Sequence, residues 1–511
     1  MDKKYDVIVV GAGNGGLAAA AYAAHEGLKV LLLEKHNLPG GCATSFVRGR
    51  FEFEPSLHEL CSVGTAENPD TVYKLFDDLG AKIDWRYEYN PFRVILKGKN
   101  GYDYTMKGGN RENFIESMEK AVPGCGKSLR KFFKLKEKCD AALDYIVSMK
   151  GKPNGLVMIT KHADFMKTAA YSVEEVMTAC GVPKKAQQII TTYWGYLGVP
   201  TDEICAMHFL NMLLGYLDDG AAMPTMRSHE MSSALCKVIY DNGGEIYFNT
   251  EVTEFLYNED GSMKGVVAGG NTYYADEIIS NIIANNVINR SDITKVPERT
   301  IRLANARKFG ISVATVYLGL DCSVEELGLK DYTSFVTTTP DAREQYEKRK
   351  NGTLYILNSL NIAVPESSPK GTCTLFFTMP IFGSDIPEDL TPQTYKKYKN
   401  EIARKYIKDA EETFGIDITS HIEEISVATP VTFARYLGTP EGTIYGYYTA
   451  GWDNIIIRVS EEKKDFSTPG ITYCGGHATR GDGYSCALIT GMNAGKAVAK
   501  RVKAKQEGGN I

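Results

Sequence analysis

Three glycines and an acid near the start of the chain have the types and spacing needed to hold a nucleotide diphosphate. Gly11, Gly13 and Gly16 follow the strand-like run Tyr5–Val10, and Glu34 comes 18 residues after Gly16. The first glycine permits a sharp turn, the second leaves room for a pyrophosphate, and the third lets a helix pack closely on a sheet. The acid can accept both hydroxyls of a ribose. The set therefore predicts a dinucleotide site.

The elements around these residues must bring them to one edge of a parallel sheet. Leu17–Gly27 is rich in alanine, which favours a tightly packed helix, and Lys29–Leu33 is a short apolar run typical of a central strand. The helix is expected to begin near Asn14, where free N–H groups and the positive end of the dipole face the phosphates. A glycine-rich turn on an unrelated α/β fold is the alternative.

A second glycine turn, Gly40-Gly41, follows shortly after the acid. NAD does not need this turn, whereas the segment resembles the stretch that carries FAD in the glutathione-reductase-like superfamily. The resemblance implies FAD as the tightly held cofactor. A plain surface loop is the alternative, because Pro-Gly-Gly is common in turns. The cofactor contacts implied here are Lys35, Gly41, Cys42, Ala43 and Thr44.

Length and composition exclude several classes of protein. At 511 residues the chain should form two or three domains, and 43% hydrophobic and 24% charged residues are typical of a globular protein. The net charge of −5 shows no preference for polyanions, so no nucleic-acid partner is expected. The eleven cysteines lack Cys-x-x-Cys spacing, which argues against a metal site and against a disulfide framework.

We expect a cytoplasmic protein. Met1 leads directly into the first strand, so no targeting segment is expected, and no stretch of about 20 apolar residues could span a membrane. The lack of a disulfide framework is consistent with a reducing compartment.

Later segments predict that the chain returns to the dinucleotide domain. Glu245–Asn249 is expected to form a strand after a helix and a turn, and Asp276–Asn281 is expected to enter the same sheet. The closing segment contains Gly475-Gly476-His477 and then a long helix. In FAD proteins of the superfamily named above, a valine just after the strand beside the ribose strand touches the adenine, and Val252 is the matching position.

These segments predict an α/β fold with a discontinuous FAD-binding domain of glutathione-reductase/amine-oxidase-like type and an inserted, mixed α+β substrate domain. Residues 1–75, 225–300 and 468–511 are expected to form the FAD-binding domain. Residues 76–224 are expected to form a helical lid or substrate region, and residues 301–467 a substrate domain with a mixed sheet.

The chain resembles the phytoene desaturase superfamily, which includes carotenoid desaturases, carotenoid isomerases and retinol-saturase-like enzymes. The resemblance spans nearly the whole chain. It rests on the two glycine motifs, on Ser280-Asn281, and on the run Thr429–Tyr436 followed by Gly442–Gly446. It implies an FAD-dependent oxidoreductase or isomerase that acts on carbon–carbon double bonds of an apolar polyene or unsaturated lipid, with Asn281 near the cofactor.

Three segments depart from the superfamily pattern. Pro55 follows Phe53-Glu54 where members commonly carry glycine, and its fixed φ stiffens the backbone. Pro224–Ser228 replaces a glycine pair before the next helix, and His477 stands where an acid often follows the C-terminal glycine. All three segments are expected near flavin and substrate.

His58 is the candidate catalytic residue, because the resemblance places its segment over the flavin ring. A histidine there could donate a proton to a carbanion-like carbon, and a hydrogen-bonded structural histidine is the alternative. His477 is expected beside the flavin phosphate or ribityl chain. The start of the final helix is expected to face the pyrimidine edge of the flavin with its N–H groups. The C-terminal cofactor contacts expected are Gly476, His477, Asp482, Gly483 and Tyr484.

Two further segments each allow two interpretations. Tyr193–Leu214 is strongly apolar and could line a tunnel for a substrate with few polar groups, or it could form ordinary core. Lys127–Lys136 interleaves basic and apolar residues, which suits peripheral contact with an anionic membrane or a solvated helix face.

Three functions are compatible with the sequence. The first is the double-bond chemistry described above, with the direction left open between desaturation, saturation and isomerisation. The second is an amine-oxidase-like flavoenzyme that oxidises a C–N bond. The third is a non-catalytic protein that binds lipids or prenyl groups on the same fold. No second glycine-rich dinucleotide unit is visible, so any electron donor or acceptor is expected to be a diffusing partner.

Overall fold

Two large sheets organise the protein, a parallel sheet of five strands and a mixed sheet of seven. The computed structural model describes residues 4–149, 152–218, 220–455, 457–458, 468–478 and 483–508. The parallel sheet with its glycine loop is a Rossmann-like unit, and the mixed sheet stands apart from it. This confirms the predicted α/β fold class.

The five-stranded sheet is assembled from segments that lie far apart in the sequence. Its first two strands, Val7–Val10 and Val30–Leu33, are fully buried aliphatic runs, as expected for parallel strands covered on both faces. Glu277–Ser280 pairs in parallel with the first strand, and Glu245–Tyr247 pairs with the second, which confirms both predicted returns of the chain. Ile471–Tyr473 pairs with Glu277–Ser280 and completes the sheet.

The first and last parts of the chain form one packed unit. The alanine-rich helix Asn14–His25 packs against Ser228–Asp241 and against the final helix, Tyr484–Gln506. A Cβ at Gly491 would lie 2.1 Å from the Gly15 carbonyl oxygen, so only glycine permits this approach of the final helix.

The seven-stranded sheet combines two early strands with five later ones. Its order is Ile422–Ala428, Ser312–Leu320, Cys373–Ile381, Leu354–Ser359, Thr333–Thr337, Phe92–Leu96 and Tyr102–Met106. Neighbours are antiparallel except Thr333–Thr337 and Phe92–Leu96, which run in parallel. Residues 92–106, which lie in the region predicted as helical, thus pair with the predicted substrate domain. The domain boundaries stay a prediction.

Smaller elements complete the fold. The other strands are Val252–Tyr257, Met263–Ala268 and Asn271–Tyr274 in one antiparallel sheet, and the pairs Phe46–Arg48 with Phe51–Phe53 and Trp85–Glu88 with Ala221–Pro224. The other α-helices are Thr71–Asp78, Arg111–Ala121, Gly126–Phe133, Leu135–Ser148, Gly155–Lys161, Ala163–Ala170, Val173–Cys180, Lys184–Thr191, Trp194–Leu197, Ala206–Leu217, Ala284–Asn289, Glu298–Ala306, Val324–Leu327, Ala342–Glu347, Leu360–Ala363, Pro392–Phe414 and Pro430–Leu437. Within the described residues, every helix is too short or too polar to cross a membrane.

Candidate functional site

A cavity of about 1450 Å³ lies between the parallel sheet and the seven-stranded sheet. Val10 and Leu33 end strands of the parallel sheet, Asn281 and Gly475 follow two others, and all four residues line the cavity. Ligands of open α/β sheets bind outside the carboxyl ends of the strands. Because pockets for one small molecule reach only about 1000 Å³, this cavity has room for a cofactor and a second molecule.

The first glycine loop leads into a helix whose N-terminus lacks a side-chain cap. Gly13 is the N-cap residue, and no side chain accepts the first N–H groups of the helix, so these groups remain available to a ligand. A Cβ at Gly16 would lie 1.9 Å from the Gly11 carbonyl oxygen. Glycine at this position is therefore what allows the loop to fold back onto the helix.

The second glycine turn is hydrogen-bonded to the first loop. The Gly40 N–H donates to the Ala12 carbonyl oxygen at 2.7 Å, and Gly40 forms a β-bridge with Gly13. Further along the turn, Ser232 Oγ donates to the Ala43 carbonyl oxygen at 2.6 Å. The two loops consequently form one continuous wall of the cavity.

Glu34 is buried at the cavity, and its carboxylate accepts hydrogen bonds from backbone N–H groups of the first glycine loop and of the segment that follows its own strand. Its Oε2 accepts from Ala12 N–H at 2.6 Å, and its Oε1 accepts from His36 N–H at 2.8 Å. Each carboxylate oxygen keeps a further lone pair, so the acid can still accept ribose hydroxyls. The Thr250 N–H donates to the Glu34 carbonyl oxygen at 2.8 Å, and this contact brings Val252 to the same part of the cavity.

Two later segments close around the first glycine loop. The Asn281 N–H donates to the Val10 carbonyl oxygen at 2.9 Å and so extends the strand pairing. A Cβ at Gly13 would lie 2.6 Å from Asn281 Nδ2, and a Cβ at Gly15 would lie 2.6 Å from the Gly475 nitrogen. Backbone from three distant segments therefore surrounds one narrow space.

Most of the predicted site residues come together in this cavity. Gly16 and Ala43 do not line the cavity. Gly16 packs against the Gly11 carbonyl oxygen, and the Ala43 carbonyl oxygen accepts a hydrogen bond from Ser232, so both residues stabilise the glycine loops. Asp482 lies outside the described residues. The predicted residues that line the cavity are Gly11, Gly13, Asn14, Glu34, Lys35, Gly41, Cys42, Thr44, His58, Val252, Asn281, Gly476, His477, Gly483 and Tyr484.

Aromatic and aliphatic side chains wall a second part of the cavity. Tyr196, Leu197 and Met212 line it, whereas Tyr193 and Trp194 of the same segment are fully buried in the neighbouring core. Some residues of the segment Tyr193–Leu214 therefore line the cavity and others form ordinary core, and a role in binding substrate stays a prediction. We call this second part the aromatic pocket and the first part the glycine-loop site.

Comparisons with known proteins agree with this geometry. Residues 9–79 match the family model of the NAD(P)-binding Rossmann-like domain. The chain is 26% identical to the all-trans-retinol 13,14-reductase of Danio rerio, over 86% of this chain and 77% of that protein. It is 25% identical to the phytoene desaturase (neurosporene-forming) of Rhodobacter capsulatus, over 84% and 82%, and 24% identical to the prolycopene isomerase of Daucus carota, over 99% and 82%.

These relatives agree with the predicted resemblance to the phytoene desaturase-like FAD-dependent oxidoreductases. Solved structures agree on the fold. An oxidoreductase from Methanosarcina mazei matches with a TM-score of 0.63 and 17% identity over 96% of this chain and 99% of that one. Cyclohexylamine oxidase from Brevibacterium oxydans matches with a TM-score of 0.62 and 15% identity over 98% and 100%.

The residues of the glycine-loop site fit FAD, the cofactor of the superfamily. Asn14 Oδ1, Thr44 Oγ1 and His477 Nε2 are buried and lack a hydrogen-bond partner within the described protein. Such atoms are costly to bury unless a ligand or water satisfies them. Burial lowers the pKa of His477 to about 4, so its ring is uncharged at neutral pH and offers a hydrogen bond without a charge.

His58 lies in the aromatic pocket as an uncharged ring. Its ring centroid is 5.2 Å from that of Tyr196 and 5.4 Å from that of Phe376. Burial lowers the pKa of His58 to about 4, so few molecules carry the imidazolium form at neutral pH. The neutral ring is a much weaker acid, and the catalytic role of His58 stays a prediction.

Two carboxyl groups beside His58 were absent from the predicted site. Glu54 accepts hydrogen bonds from the N–H and Oγ of Ser228, at 2.9 and 3.0 Å, and burial raises its pKa to about 7. This contact joins the segments of Pro55 and Ser228, two of the departures from the superfamily pattern. Glu59 lines the aromatic pocket. The sequence contains a signal for Glu54 and Glu59, because both acids lie within four residues of His58 in a segment expected over the flavin.

The basic stretch Lys127–Lys136 turns its apolar side chains inward. Leu129, Phe132 and Phe133 are buried, whereas the lysines and the arginine of the helix Gly126–Phe133 are exposed. This arrangement favours the solvated helix face over membrane contact at this stretch.

Proposed function

We propose that this protein uses FAD to desaturate, saturate or isomerise carbon–carbon double bonds in an apolar polyene or unsaturated lipid. One observation carries the proposal: a single cavity combines the glycine-loop site with an aromatic pocket walled by aromatic and aliphatic side chains. The names of three relatives, a retinol reductase, a phytoene desaturase and a prolycopene isomerase, support this class of substrate.

We assign the cofactor to the glycine-loop site. The N-terminus of the helix Asn14–His25 would bind the phosphates, Glu34 the adenosine ribose, and Val252 the adenine. The N-terminus of the helix Tyr484–Gln506 would face the flavin ring, because Gly483 and Tyr484 line the cavity and no side chain caps that helix. The remaining contacts would come from Gly11, Gly13, Lys35, Gly41, Cys42, Thr44, Asn281, Gly476 and His477.

The residues of the aromatic pocket would hold the substrate and exclude water. Bound FAD supplies hydride acceptance or donation. Tyr196, Leu197 and Met212 offer an apolar surface that suits a substrate with few polar groups. Any electrons for a net reduction would come from a diffusing donor.

We also propose peripheral contact with a membrane, through residues 152–171. Leu156 and Ile159 are 71% and 67% exposed, and Met166 is 48% exposed. The helix Gly155–Lys161 packs on Ala163–Ala170, which in turn packs on Leu135–Ser148, a helix that contributes Leu143 to the cavity. Co-sedimentation with anionic phospholipid vesicles should weaken in a Leu156→Ser/Ile159→Ser variant and stay unchanged in Lys127→Gln. Equal binding of the wild type and both variants would refute membrane contact through residues 152–171.

The function is tested by the cofactor and by turnover. The purified protein is denatured, and the released cofactor is identified by mass spectrometry, with FAD expected. All-trans-retinol, phytoene and prolycopene are then incubated with the oxidised and the dithionite-reduced protein, and products are separated by chromatography. A changed double bond in at least one of them is expected. A protein without flavin, or hydrogen peroxide formed from a panel of amines with no change in any polyene, would refute the proposal.

A further inference from the structure

A buried carboxyl group in the aromatic pocket has no partner among the described residues. Glu59 is 6% exposed and lines the cavity, and neither of its carboxyl oxygens takes part in a hydrogen bond. Buried polar atoms in folded proteins almost always have partners. An unsatisfied acid that faces a cavity therefore points to a ligand or a reaction.

The backbone around Glu59 is held in place from several sides. Tyr216 Oη donates to the Glu59 carbonyl oxygen at 3.3 Å, and Tyr332 Oη donates to the carbonyl oxygen of His58. The Leu60 N–H donates to the Ala222 carbonyl oxygen at 2.9 Å. The position of the carboxyl group in the pocket is thus set by the fold.

The surroundings of Glu59 favour the protonated carboxylic acid. Burial raises the pKa of Glu59 well above its usual range, and the nearby Glu88 carboxyl acts in the same direction. The hydroxyl of Tyr196 lies near the carboxyl and acts to lower its pKa, a smaller effect than that of burial. It does not form a hydrogen bond with either carboxyl oxygen. Burial also raises the pKa of the four tyrosines around the group, which are therefore uncharged: Tyr193, Tyr196, Tyr216 and Tyr332.

A carboxylic acid is ordinarily a far stronger acid than a tyrosine hydroxyl. The same burial that weakens the carboxylic acid weakens the tyrosine hydroxyls, whose ordinary pKa is already about 10. The neutral ring of His58 is weaker still as an acid. Compared with these neighbours, Glu59 is the more suitable source of a proton for a substrate carbon.

We propose that Glu59 is the catalytic acid of the double-bond reaction and delivers a proton to a substrate carbon in the aromatic pocket. The inference rests on the proposed function. In a saturation, bound reduced flavin would supply a hydride equivalent to one carbon of the double bond, the π electron pair would move to the neighbouring carbon, and that carbon would take the proton of Glu59. The O–H bond breaks, a C–H bond forms, and the carboxylate regains a proton from water. In an isomerisation, the proton is added, the carbon–carbon bond rotates, and one proton returns to Glu59.

This assignment also narrows the direction of the reaction. Desaturation removes a hydride and a proton, so it needs a base that is unprotonated when the substrate binds. An acid that holds its proton before turnover suits saturation or isomerisation.

The test compares the full-length, flavin-loaded protein with Glu59→Gln and with Glu88→Gln. Glutamine keeps the shape of residue 59 and cannot act as the acid, and Glu88→Gln removes a neighbouring carboxyl that does not line the cavity. Glu54, whose pKa is about 7, is also partly protonated at neutral pH, so the infrared comparison uses difference spectra. The spectrum of the wild type minus that of E59Q should contain the carbonyl band of a protonated carboxyl, and this band should shift in D2O. The spectrum of E88Q minus that of E59Q should contain the same band. Flavin content should be equal in all three proteins.

Turnover gives the second readout. Conversion of all-trans-retinol by the reduced protein, or of prolycopene, should fall at least ~100-fold in E59Q and stay within a few-fold in E88Q. The wild-type rate should fall at high pH as the acid ionises. E88Q should move this fall to lower pH, because the charge that raises the pKa of Glu59 is gone. This pH shift tests the proposal even where E59Q does not fold.

The outcomes separate the two proposals. Wild-type turnover in E59Q, or a difference spectrum of wild type minus E59Q that lacks the carbonyl band, would overturn the role of Glu59 and leave the proposed function intact. A wild-type protein that changes none of the polyenes would overturn the proposed function, and with it the reaction assigned to Glu59. Peroxide formed from an amine in a Glu59-dependent manner would overturn both, because the carboxylate would then bind a cation.

Discussion

The glycine-loop site and the aromatic pocket share one cavity but are built by different means. The glycine-loop site consists mainly of backbone groups, namely glycines and helix N-termini. Its one acid, Glu34, accepts hydrogen bonds from two backbone N–H groups. The aromatic pocket consists of side chains brought together from separate segments, such as His58, Tyr196 and Met212. A backbone site tolerates little change, whereas a side-chain pocket can change its chemistry one residue at a time.

Gly16→Ala would test the backbone character of the glycine-loop site and should have the largest effect. The new Cβ would lie 1.9 Å from a backbone oxygen, and neither atom can move without displacing the loop. We expect a loss of about 3 kcal/mol or more in stability and loss of bound flavin. Flavin absorbance after gel filtration measures the second effect.

Gly155→Ala is the matched control, because it starts a helix and a Cβ there meets nothing within 4 Å. It should bind flavin like the wild type. Full flavin content in Gly16→Ala would show that the glycine-loop site does not depend on this close approach.

Glu54 lies where the glycine-loop site meets the aromatic pocket, and its effect should depend on pH. Its pKa is raised from 4.5 to about 7 in the folded protein, so the folded state binds the proton more tightly than the unfolded state. The resulting stabilisation is complete below about pH 4.5 and is lost as the pH rises through 7. It amounts to about 3 kcal/mol.

The free energy of unfolding of the wild type, relative to Glu54→Gln, should therefore decrease between pH 5 and 8. Denaturant titrations of both proteins across this range measure the difference. Glu112→Gln is the control, since that carboxyl is exposed and its pKa is lowered by Arg130, which reverses the sign of any dependence. A pH-independent difference for Glu54→Gln would show that Glu54 stays ionised in the fold.

Tyr484→Phe should have the smallest effect and would test how firmly the final helix is joined to the second glycine turn. Tyr484 Oη donates to the Cys42 carbonyl oxygen at 2.6 Å and lies 2.9 Å from Ser56 Oγ. Removing the hydroxyl should cost about 1 kcal/mol, visible as a small drop in melting temperature. The control is Tyr436→Phe, because Tyr436 lines the same cavity but is half exposed. This variant should have the melting temperature of the wild type. Equal melting temperatures for both variants would show that the Tyr484 hydrogen bonds do not stabilise the contact between the final helix and the second glycine turn.

The sequence was most informative where local spacing and backbone chemistry decide the structure. The strands beginning near Val7, Val30, Glu245 and Glu277 were all expected from short apolar runs and turns, and they form one sheet. The pairing of Phe92–Leu96 with Thr333–Thr337 was not expected, since nothing local reveals a parallel contact across such a separation. For the same reason, the sequence suggested an apolar segment at Tyr193–Leu214 but not which of its side chains reach the cavity.

The sequence by itself determined the class of cofactor site, because glycine spacing, a helix start and an acid at a strand end are local features whose geometry follows from bonds and sterics. Only the tertiary structure decided the chemistry of the aromatic pocket. His58, Glu54 and Glu59 stand within six residues of one another, yet burial leaves the first uncharged, raises the pKa of the second to about 7 and leaves the third without a partner. Those differences arise from desolvation and neighbours contributed by distant segments, which no local pattern records.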